Sequence, residues 1–545
     1  MAVSNVDHAI INRALIAAAH EMGTKLIRSA HSPIVREAQD CSAAIIDRRG
    51  RVVAQAELIP IQLGSITQTL APCLELYPPE TLKEGDFFIN NDPYNGGQHI
   101  PDIFLFSPIF HEGELLGFSA SVVHHIDLGG GAPGLNPEAG DVHQEGIVFP
   151  PSKYELNRDW NGGSFERFIA ANVRMPHATI GDINAQFAAN AIGAKRLRAL
   201  ATRYGAGAVT EAMDEMLNYS ERRMRTAISG LPDGTFMAEA AMDEDGLGDT
   251  PVVIRTQVTI DGEAIRICFD GTDPQVPTYL NNPFASTFAA AVACAKSVLT
   301  DPDIPFNDGV SRVITVDAPL GSVLNPKPPA PVRARLLPSY RVFNAVMKAL
   351  AQVVPERVMA EGYDTTTPVC LSHLGESGYN IYLEILGGGY GASVGRDGCD
   401  GVDSPLSNCA NIPIESLEMD YPFMRLESYA LIPGSGGAGA RRGGLGFERT
   451  YRILTDGVQF ATYGDRFMLP AEGLFGGQSG APAESYISRN GTKIPLRSKT
   501  GCHLEKGDLL VVRTGGGGGY GPPADRPQSL IEQDETMGLT LPAPA

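Results

Sequence analysis

The sequence lacks the short motifs by which many enzymes bind a nucleotide. No GxxxxGK[ST] segment occurs in its 545 residues, so a phosphate-binding loop of the ATPase type is absent. Residues 434–439 match GxGxxG, but the glycines and arginines of 440–446 cannot form the helix that a dinucleotide site requires. Residues 391–395 match GxSxG, yet no helix-forming segment follows the serine, as a serine hydrolase would need.

Cysteine pairs, long apolar runs and an excess of basic residues are also absent. The eight cysteines include no CxxC pair, which predicts reduced thiols and disfavours a cysteine zinc site or a disulfide framework. No run of about 18 apolar residues occurs, so no membrane span is expected. The formal net charge of −20 disfavours a nucleic-acid surface. Residues 1–7 do not resemble a secretory signal, so we expect a cytoplasmic protein.

The length and composition favour a globular protein of two to four domains, because single cores rarely exceed about 300 residues. The pattern of helical and alternating segments predicts an α+β fold with mixed and antiparallel sheets, flanking helices and a β-rich, glycine-rich C-terminal third. The predicted segments are 1–160 (α+β, with the candidate site), 161–229 (mainly helical), 230–369 (α+β), 370–522 (glycine-rich β) and 523–545 (tail).

Five consecutive glycines at 515–519 follow a strand-like segment. Glycine adopts conformations closed to other residues, and it lets backbones approach closely. These glycines therefore predict a backbone conformation that serves either to close over a site or to pass beneath another chain. The alternative is a flexible linker.

A segment rich in histidine and carboxylate residues, 91–151, contains the strongest candidate for a functional site. Five of the eleven histidines lie in it. Residues 104–108 and 115–123 are strand-like and 111–114 resemble a turn, which together predict an antiparallel hairpin. His99 and Asp102 precede the first strand and His124 ends the second, so the hairpin should bring all three to one edge.

These residue types suit a divalent metal. Two imidazoles with one or two carboxylates are typical ligands of Zn²⁺, Mn²⁺ or Fe²⁺. Asp40 begins an earlier strand-like segment, as Asp102 does in the later hairpin, and joins the candidate set. His125 would point to the opposite strand face from His124, so only one of the two is expected to be a ligand. The alternative is that all of them are ordinary hydrogen-bonding loop residues.

Several ordered motifs along most of the chain match one protein family. They lie at 36–42 (REAQDCS), 92–102 (DPYNGGQHIPD), 124–130 (HHIDLGG), 144–147 (QEGI), 181–186 (GDINAQ), 269–272 (FDGT), 306–309 (FNDG), 411–415 (NIPIE), 441–446 (RRGGLG) and 515–521 (GGGGGYG). By these motifs the chain resembles the B-type subunit of ATP-dependent hydantoinases and 5-oxoprolinases. The same superfamily includes caprolactamase and the acetone and acetophenone carboxylases.

The resemblance implies a division of labour between two subunits. A partner A-type subunit would use ATP and Mg²⁺ to phosphorylate the substrate, in a hetero-oligomer of α2β2 or larger composition. This chain would bind one divalent metal, Zn²⁺, Mn²⁺ or Fe²⁺. The implied metal ligands are Asp40, His99, Asp102 and His124. The implied catalytic residues are Asp40, His99 and Glu145.

The resemblance also implies that His125 and Asp127 lie close to the substrate or contact the metal ligands from behind. The sequence departs from the common family pattern at Gln62, where many relatives have histidine. It departs again at Gln98, where threonine is common. Both positions would lie near the pocket, so they bear on which substrate is used.

The function that follows is ATP-dependent hydrolysis of a small cyclic amide, such as a hydantoin, 5-oxoproline or a lactam. The amide bond in these rings is resonance-stabilised, and phosphorylation of its oxygen prepares the carbon for attack by water activated at a metal. Two alternatives remain open. One is a subunit of an ATP-dependent ketone carboxylase, and the other is a scaffold whose partner carries out all the chemistry.

Overall fold

The structure is a computed structural model that describes residues 5–540. Its α-helices are α1 (Asn5–Ser29), α2 (Pro33–Arg36), α3 (Pro60–Leu63), α4 (Ile66–Leu76), α5 (Leu156–Asp159), α6 (Ser164–Asn172), α7 (Pro176–Tyr204), α8 (Ala206–Ser229), α9 (Phe284–Leu299), α10 (Asp308–Ser311), α11 (Leu336–Ala351), α12 (Ile414–Asp420) and α13 (Gln528–Thr536). None of these described helices has both the length and the apolar character needed to cross a membrane.

Strands occur throughout the described chain and become dominant in its last third. They are β1 (Cys41–Asp47), β2 (Val52–Ala56), β3 (Asp86–Asn90), β4 (Asp102–His111), β5 (Glu114–His124), β6 (Ser152–Glu155), β7 (Gly234–Met242), β8 (Val252–Asp261), β9 (Ala264–Cys268), β10 (Ile314–Asp317), β11 (Thr367–Gly375), β12 (Gly378–Leu386), β13 (Met424–Leu431), β14 (Phe447–Ile453), β15 (Val458–Tyr463), β16 (Glu484–Arg489), β17 (Thr492–Pro495), β18 (Lys499–Leu504) and β19 (Leu509–Arg513).

The first sheet positions the candidate site. Its six strands are antiparallel and lie in the order β2-β1-β5-β4-β3-β6. β1 is buried along its whole length because α1 and α7 cover one face of the sheet and α4 covers the other. Successive side chains alternate between these layers, so Ile45 packs in the first and Ile46 in the second. The expected hairpin is present as β4 and β5.

The middle of the chain forms a mixed sheet. Its strands lie in the order β10-β9-β8-β7, with β9 and β10 parallel and the other pairs antiparallel. α11 packs against β7 and β8, and α9 packs against α11. α11 is buried on nearly every side, so the residues that lead into it are brought to the centre of the molecule.

The last third contains two antiparallel sheets, in the orders β12-β11-β15-β18 and β13-β14-β19-β16-β17. The predicted α+β fold with mixed and antiparallel sheets and a β-rich last third is therefore confirmed. The domain boundaries remain predictions. A single cluster of buried apolar side chains includes Ile11 and Val512 and has members in each of the first four predicted segments.

The five glycines at 515–519 pass between other segments of the same chain. The N–H of Gly517 donates to Gly444 at 2.9 Å, and the N–H of Gly518 donates to Glu361 at 2.7 Å. A Cβ on Gly517 would lie 2.1 Å from the carbonyl oxygen of Tyr390, and one on Gly516 would lie 1.9 Å from that of Ser435. The segment is thus a close-packed layer of backbone, which is the close approach that consecutive glycines allow.

Candidate metal centre

Three neighbouring strands of the first sheet bring predicted ligands together. In the register of β4 and β5, Asp102 lies directly opposite His124. Cys41 of β1 lies opposite Val123 of β5, which places Asp40, one residue earlier, beside His124. The His124 N–H accordingly donates to the Asp40 carbonyl at 3.2 Å. The three polar residues therefore meet at one end of the sheet.

His99 completes the cluster from the loop before β4. Its Nε2 lies 3.2 Å from Asp102 Oδ2. His124 Nδ1 lies 3.6 Å from Asp102 Oδ1 and 3.5 Å from Asp40 Oδ2. One ligand atom from each of His99, Asp102 and His124 lies within 4.8 Å of the other two. All three side chains are buried, and Asp40 lies beside this triad.

A backbone carbonyl fixes the orientation of the His99 ring. Nδ1 of His99 lies 3.0 Å from the carbonyl oxygen of Arg333. Because a carbonyl can only accept a hydrogen bond, Nδ1 carries the proton, and Nε2 keeps a free lone pair on the side of Asp102. Histidines that bind metals are commonly oriented in this way, with the second ring nitrogen donating to a carbonyl.

Burial and nearby charges set the protonation of the cluster. Burial, helped by the charge of Arg335, lowers the pKa of His99 to about 4, and burial also lowers the pKa of His124. Burial alone would raise the pKa of Asp102, but His99 and Arg335 outweigh it and hold that pKa well below its ordinary value. Burial and the charge of Asp102 raise the pKa of Asp40 to about 8. Near pH 7 the site therefore holds two neutral imidazoles, one carboxylate and one largely protonated carboxyl group.

This set of donors fits a divalent metal. The Nε2 atoms of His99 and His124 are buried and have no hydrogen-bond partner among residues 5–540. In addition, the bare Nε2 of His99 faces an ionised oxygen of Asp102 at 3.2 Å, which is unfavourable unless a cation lies between them. Neutral imidazole nitrogens and a carboxylate oxygen are the ligands that Zn²⁺ and Mn²⁺ accept. A metal at this point would satisfy the buried Nε2 of His99.

Gln62 and Gln98 belong to a hydrogen-bond network around the triad. Gln62 Nε2 donates to Asp40 Oδ1 at 2.9 Å and to Asp102 Oδ1 at 3.3 Å. Arg335 donates through Nη2 to Asp102 Oδ2 at 2.5 Å and to Gln98 Oε1 at 2.9 Å. Both carboxylates are thus held in place by side chains from outside the triad.

Comparison with known proteins decides the family. A family model described as hydantoinase B/oxoprolinase matches residues 4–523. The chain belongs to this family. The resemblance noted from the sequence motifs is therefore confirmed.

Two relatives and one solved structure place this hydantoinase B/oxoprolinase family member among its neighbours. It is 38% identical over 520 residues to an uncharacterised protein of Methanocaldococcus jannaschii, covering 95% of this chain and 90% of the relative. It is 35% identical over 541 residues to a protein of a Pseudomonas species that is provisionally named as the B-type subunit of a D-/L-hydantoinase, again covering 95% and 90%. The crystal structure of ATP-dependent caprolactamase from Pseudomonas jessenii matches with a TM-score of 0.90 at 28% identity, covering 99% of this chain and 95% of that one.

Glu145 lies outside the triad of this family member. Its Oε1 accepts hydrogen bonds from the backbone N–H groups of Val332 at 2.9 Å and Arg333 at 2.7 Å. Its Oε2 is buried without a partner among the described residues. Burial raises the pKa of Glu145 to about 8. The side chain therefore contacts the backbone that orients His99, and it does not contact His99 itself.

His125 and Asp127 also lie away from the triad. His125 Nε2 faces Gln186 Oε1 at 3.4 Å, on the opposite side of the strand end from His124, as side-chain alternation predicts. Asp127 forms an ion pair with Arg174 at 3.0 Å. These two residues organise the surroundings of the cluster, and their predicted roles near the substrate remain predictions.

Arg333 and Arg335 belong to the site although no sequence motif pointed to them. Both are buried, at 6% and 2% exposed, and both touch the residues of the cluster. The sequence feature that could have revealed them is the segment 331–335 (PVRAR), which places two charges directly before the apolar helix α11. Arginine is almost never fully buried unless it is paired. Two arginines leading into a buried helix therefore indicate a site.

Proposed function

We propose that this chain is the metal-dependent hydrolytic subunit of an ATP-dependent cyclic-amide hydrolase, which opens a hydantoin, 5-oxoproline or lactam ring. The observation that carries this proposal is the buried triad of His99, Asp102 and His124. Its two imidazole Nε2 atoms have no hydrogen-bond partner among residues 5–540. Buried polar atoms without partners are costly and rare in folded proteins, so this arrangement favours a bound metal over a structural role.

The proposal assigns the ATP-dependent step to a partner subunit. This chain has no phosphate-binding loop, and one relative is named as the B-type subunit of a hydantoinase. A cyclic amide resists attack by water because resonance weakens the electrophilic character of its carbonyl carbon. Phosphorylation of the amide oxygen by an A-type subunit would remove that protection and supply a leaving group.

In the hydrolytic step His99, Asp102 and His124 would hold the metal. A divalent metal bound there would supply the Lewis-acid activation of water. Asp40 lies beside the triad, with Oδ1 held by Gln62 and Oδ2 facing His124 at 3.5 Å. Because its pKa is raised to about 8, Asp40 is largely protonated near pH 7 and can give its proton to the ring nitrogen as the ring opens. The proton that the attacking water loses then restores the Asp40 carboxyl group.

Glu145 and Arg333 act on His99 through the backbone. Glu145 accepts the N–H of Arg333, and the carbonyl of Arg333 accepts Nδ1–H of His99. This chain of contacts keeps Nε2 of His99 unprotonated and aimed at the triad. The role of Glu145 is therefore positioning, in place of the direct catalytic role expected from the family resemblance.

The test is reconstitution of the two-subunit complex. The chain would be co-expressed with its A-type partner, and hydantoin, 5-oxoproline, lactams and ketones would be screened for ATP-dependent turnover with and without bicarbonate. We expect His99→Ala to abolish ring opening while the complex still assembles. The matched control is His143→Ala, an exposed histidine, which should keep full activity.

Three results would refute the proposal. Full ring opening by His99→Ala would exclude the metal mechanism. Turnover of ketones that requires bicarbonate would identify a carboxylase. An isolated chain that binds no stoichiometric Zn²⁺, Mn²⁺ or Fe²⁺ would favour a scaffold role.

A further inference from the structure

Arg333 carries a buried charge without a carboxylate partner. Its side chain is 6% exposed, and it forms no ion pair with any carboxylate among residues 5–540. Nη2 donates to the carbonyl of Gly134 at 2.8 Å, and Nε has no partner. Arg335, Arg449 and Arg466 are buried as deeply, and each pairs with a carboxylate. Arg341, also fully buried, donates to the Asp364 carbonyl and forms no ion pair among the described residues. An unpaired buried charge is strongly destabilising, so its presence calls for an explanation.

Arg333 lies close to the triad and to the wall of a cavity. Its backbone carbonyl contacts His99, while its guanidinium reaches Gly134 on the other side. The neighbours of Gly134, Pro133 and Leu135, line a cavity of about 460 Å³, together with Cys370 and strand β15. Burial is the main cause of the shifted pKa values of His124 and Cys370, and the charge of Arg333 also acts on both. The guanidinium therefore lies near the triad and near one residue of the cavity lining.

The surroundings of Arg333 favour a negative ligand. Helix α11 begins at Leu336, three residues later, and the amino end of a 16-residue helix carries partial positive charge. Arg335 adds a second guanidinium, although Asp102 pairs with it. Glu145 uses Oε1 for backbone N–H groups and forms no ion pair with Arg333. No carboxylate among residues 5–540 therefore forms an ion pair with Arg333.

We propose that Arg333 binds an oxyanion of the activated substrate. A guanidinium presents parallel N–H donors that match an oxyanion in a two-pronged contact. The oxyanion has two sources, the phosphate placed on the amide oxygen by the partner or a carboxylate on the ring. This inference rests on the proposed function, and we expect the phosphate, because every activated substrate would carry it.

The test is calorimetric titration of the full-length chain with inorganic phosphate and with acetate, at equal metal content in every variant. We expect the wild type to bind phosphate more tightly than acetate. Arg333→Met should weaken phosphate binding about tenfold or more, the scale of a lost charge-assisted contact. Arg333→Lys keeps the positive charge but loses the paired N–H donors of the guanidinium. Its affinity for phosphate should therefore lie between those of the wild type and Arg333→Met. Arg396→Met removes an exposed arginine and should leave phosphate affinity unchanged.

Thermal unfolding separates binding from a structural role. Removing an unpaired charge should leave the melting temperature of Arg333→Met unchanged or raise it. If that variant melted earlier and bound phosphate as well as the wild type, Arg333 would merely tether Gly134 and the proposal would be wrong. If Arg333→Met did not fold, the Arg333→Lys variant would decide, and unchanged phosphate affinity there would overturn the proposal.

Comparison of the two anions identifies the source of the oxyanion, and the activity of the reconstituted complex separates this proposal from the proposed function. Tighter binding of acetate than of phosphate, lost in Arg333→Met, would support the oxyanion site with a ring carboxylate as its source. A wild-type chain that bound neither anion would overturn the inference. Ring opening by the reconstituted complex would still stand in that case, so the two proposals fail separately.

Discussion

Replacing Glu145 with glutamine should change how stability depends on pH. Burial raises the pKa of Glu145 from its ordinary value of 4.5 to about 8 in the folded chain. Below about pH 4.5 the carboxyl group is neutral whether the chain is folded or unfolded, so its full contribution to the stability of the folded chain is present. As the pH rises towards 8, only the unfolded chain releases the proton, and this favours unfolding.

The size of the effect follows from the two pKa values. Between them the free energy of unfolding falls by about 1.4 kcal/mol per pH unit, or up to about 5 kcal/mol in all. Glu145→Gln keeps an oxygen for the N–H groups of Val332 and Arg333 and cannot ionise. The variant should therefore gain stability relative to the wild type as the pH increases from 5 to 9.

The assay is chemical denaturation at a series of pH values. The fluorescence of Trp160, the single tryptophan of the sequence and a buried one, reports unfolding. Glu114→Gln, at an exposed position at the start of β5, is the control and should show no such change. A constant difference between Glu145→Gln and the wild type from pH 5 to 9 would refute the reasoning. A difference of the opposite sign would mean that Glu145 is ionised and stabilised by Arg333.

Three further predictions concern backbone packing, metal binding and a buried ion pair. Gly517→Ala should cost several kcal/mol or prevent folding, because its Cβ would lie 2.1 Å from a carbonyl oxygen. Gly207→Ala, whose Cβ meets no atom within 4 Å, should be neutral or stabilising by up to about 1 kcal/mol, and equal melting temperatures of the two glycine variants would contradict this. Zn²⁺ or Mn²⁺ at about 100 times its Kd should stabilise the wild type by about 2.7 kcal/mol, but not His124→Ala. Asp127→Asn should lower the melting temperature and leave metal content unchanged in elemental analysis, and a loss of metal would place Asp127 in the site.

The sequence predicted the local part of the candidate site well. A hairpin is encoded by nearby residues, and its register follows from the turn and the side-chain alternation. The pairing of Asp102 with His124 therefore needed no long-range information. The contact of Asp40 with His124 is different, because β1 and β5 belong to separate hairpins and their pairing is long-range. The position of Asp40 at the start of its strand and the family resemblance made it a candidate, but the pairing itself was not predicted.

The site residues that are distant from the hairpin in sequence could not be predicted from the spacing of residue types. Arg333 and Arg335 lie more than 200 residues from His99 and Asp102, the residues that they contact, and reach them only because α11 is buried in the middle of the molecule. The displacement of Glu145 from the triad has the same origin, since its partners are the backbone groups of this remote segment. Contacts of this kind depend on how whole layers pack. Two arginines before an apolar helix can mark buried charges, but the sequence does not show which residues they contact.

The glycine layer around 515–519 gives part of this protein an interior with almost no side chains. Most protein interiors are held by the burial of apolar surface, which weakens on cooling and gives unfolding its large positive heat capacity. Here the buried surface consists largely of peptide groups, which are joined by hydrogen bonds such as those from Gly517 and Gly518. Exposure of polar surface lowers the heat capacity. This region should therefore resist cold better than the sheets beside it, and on cooling the apolar layers would be expected to loosen first.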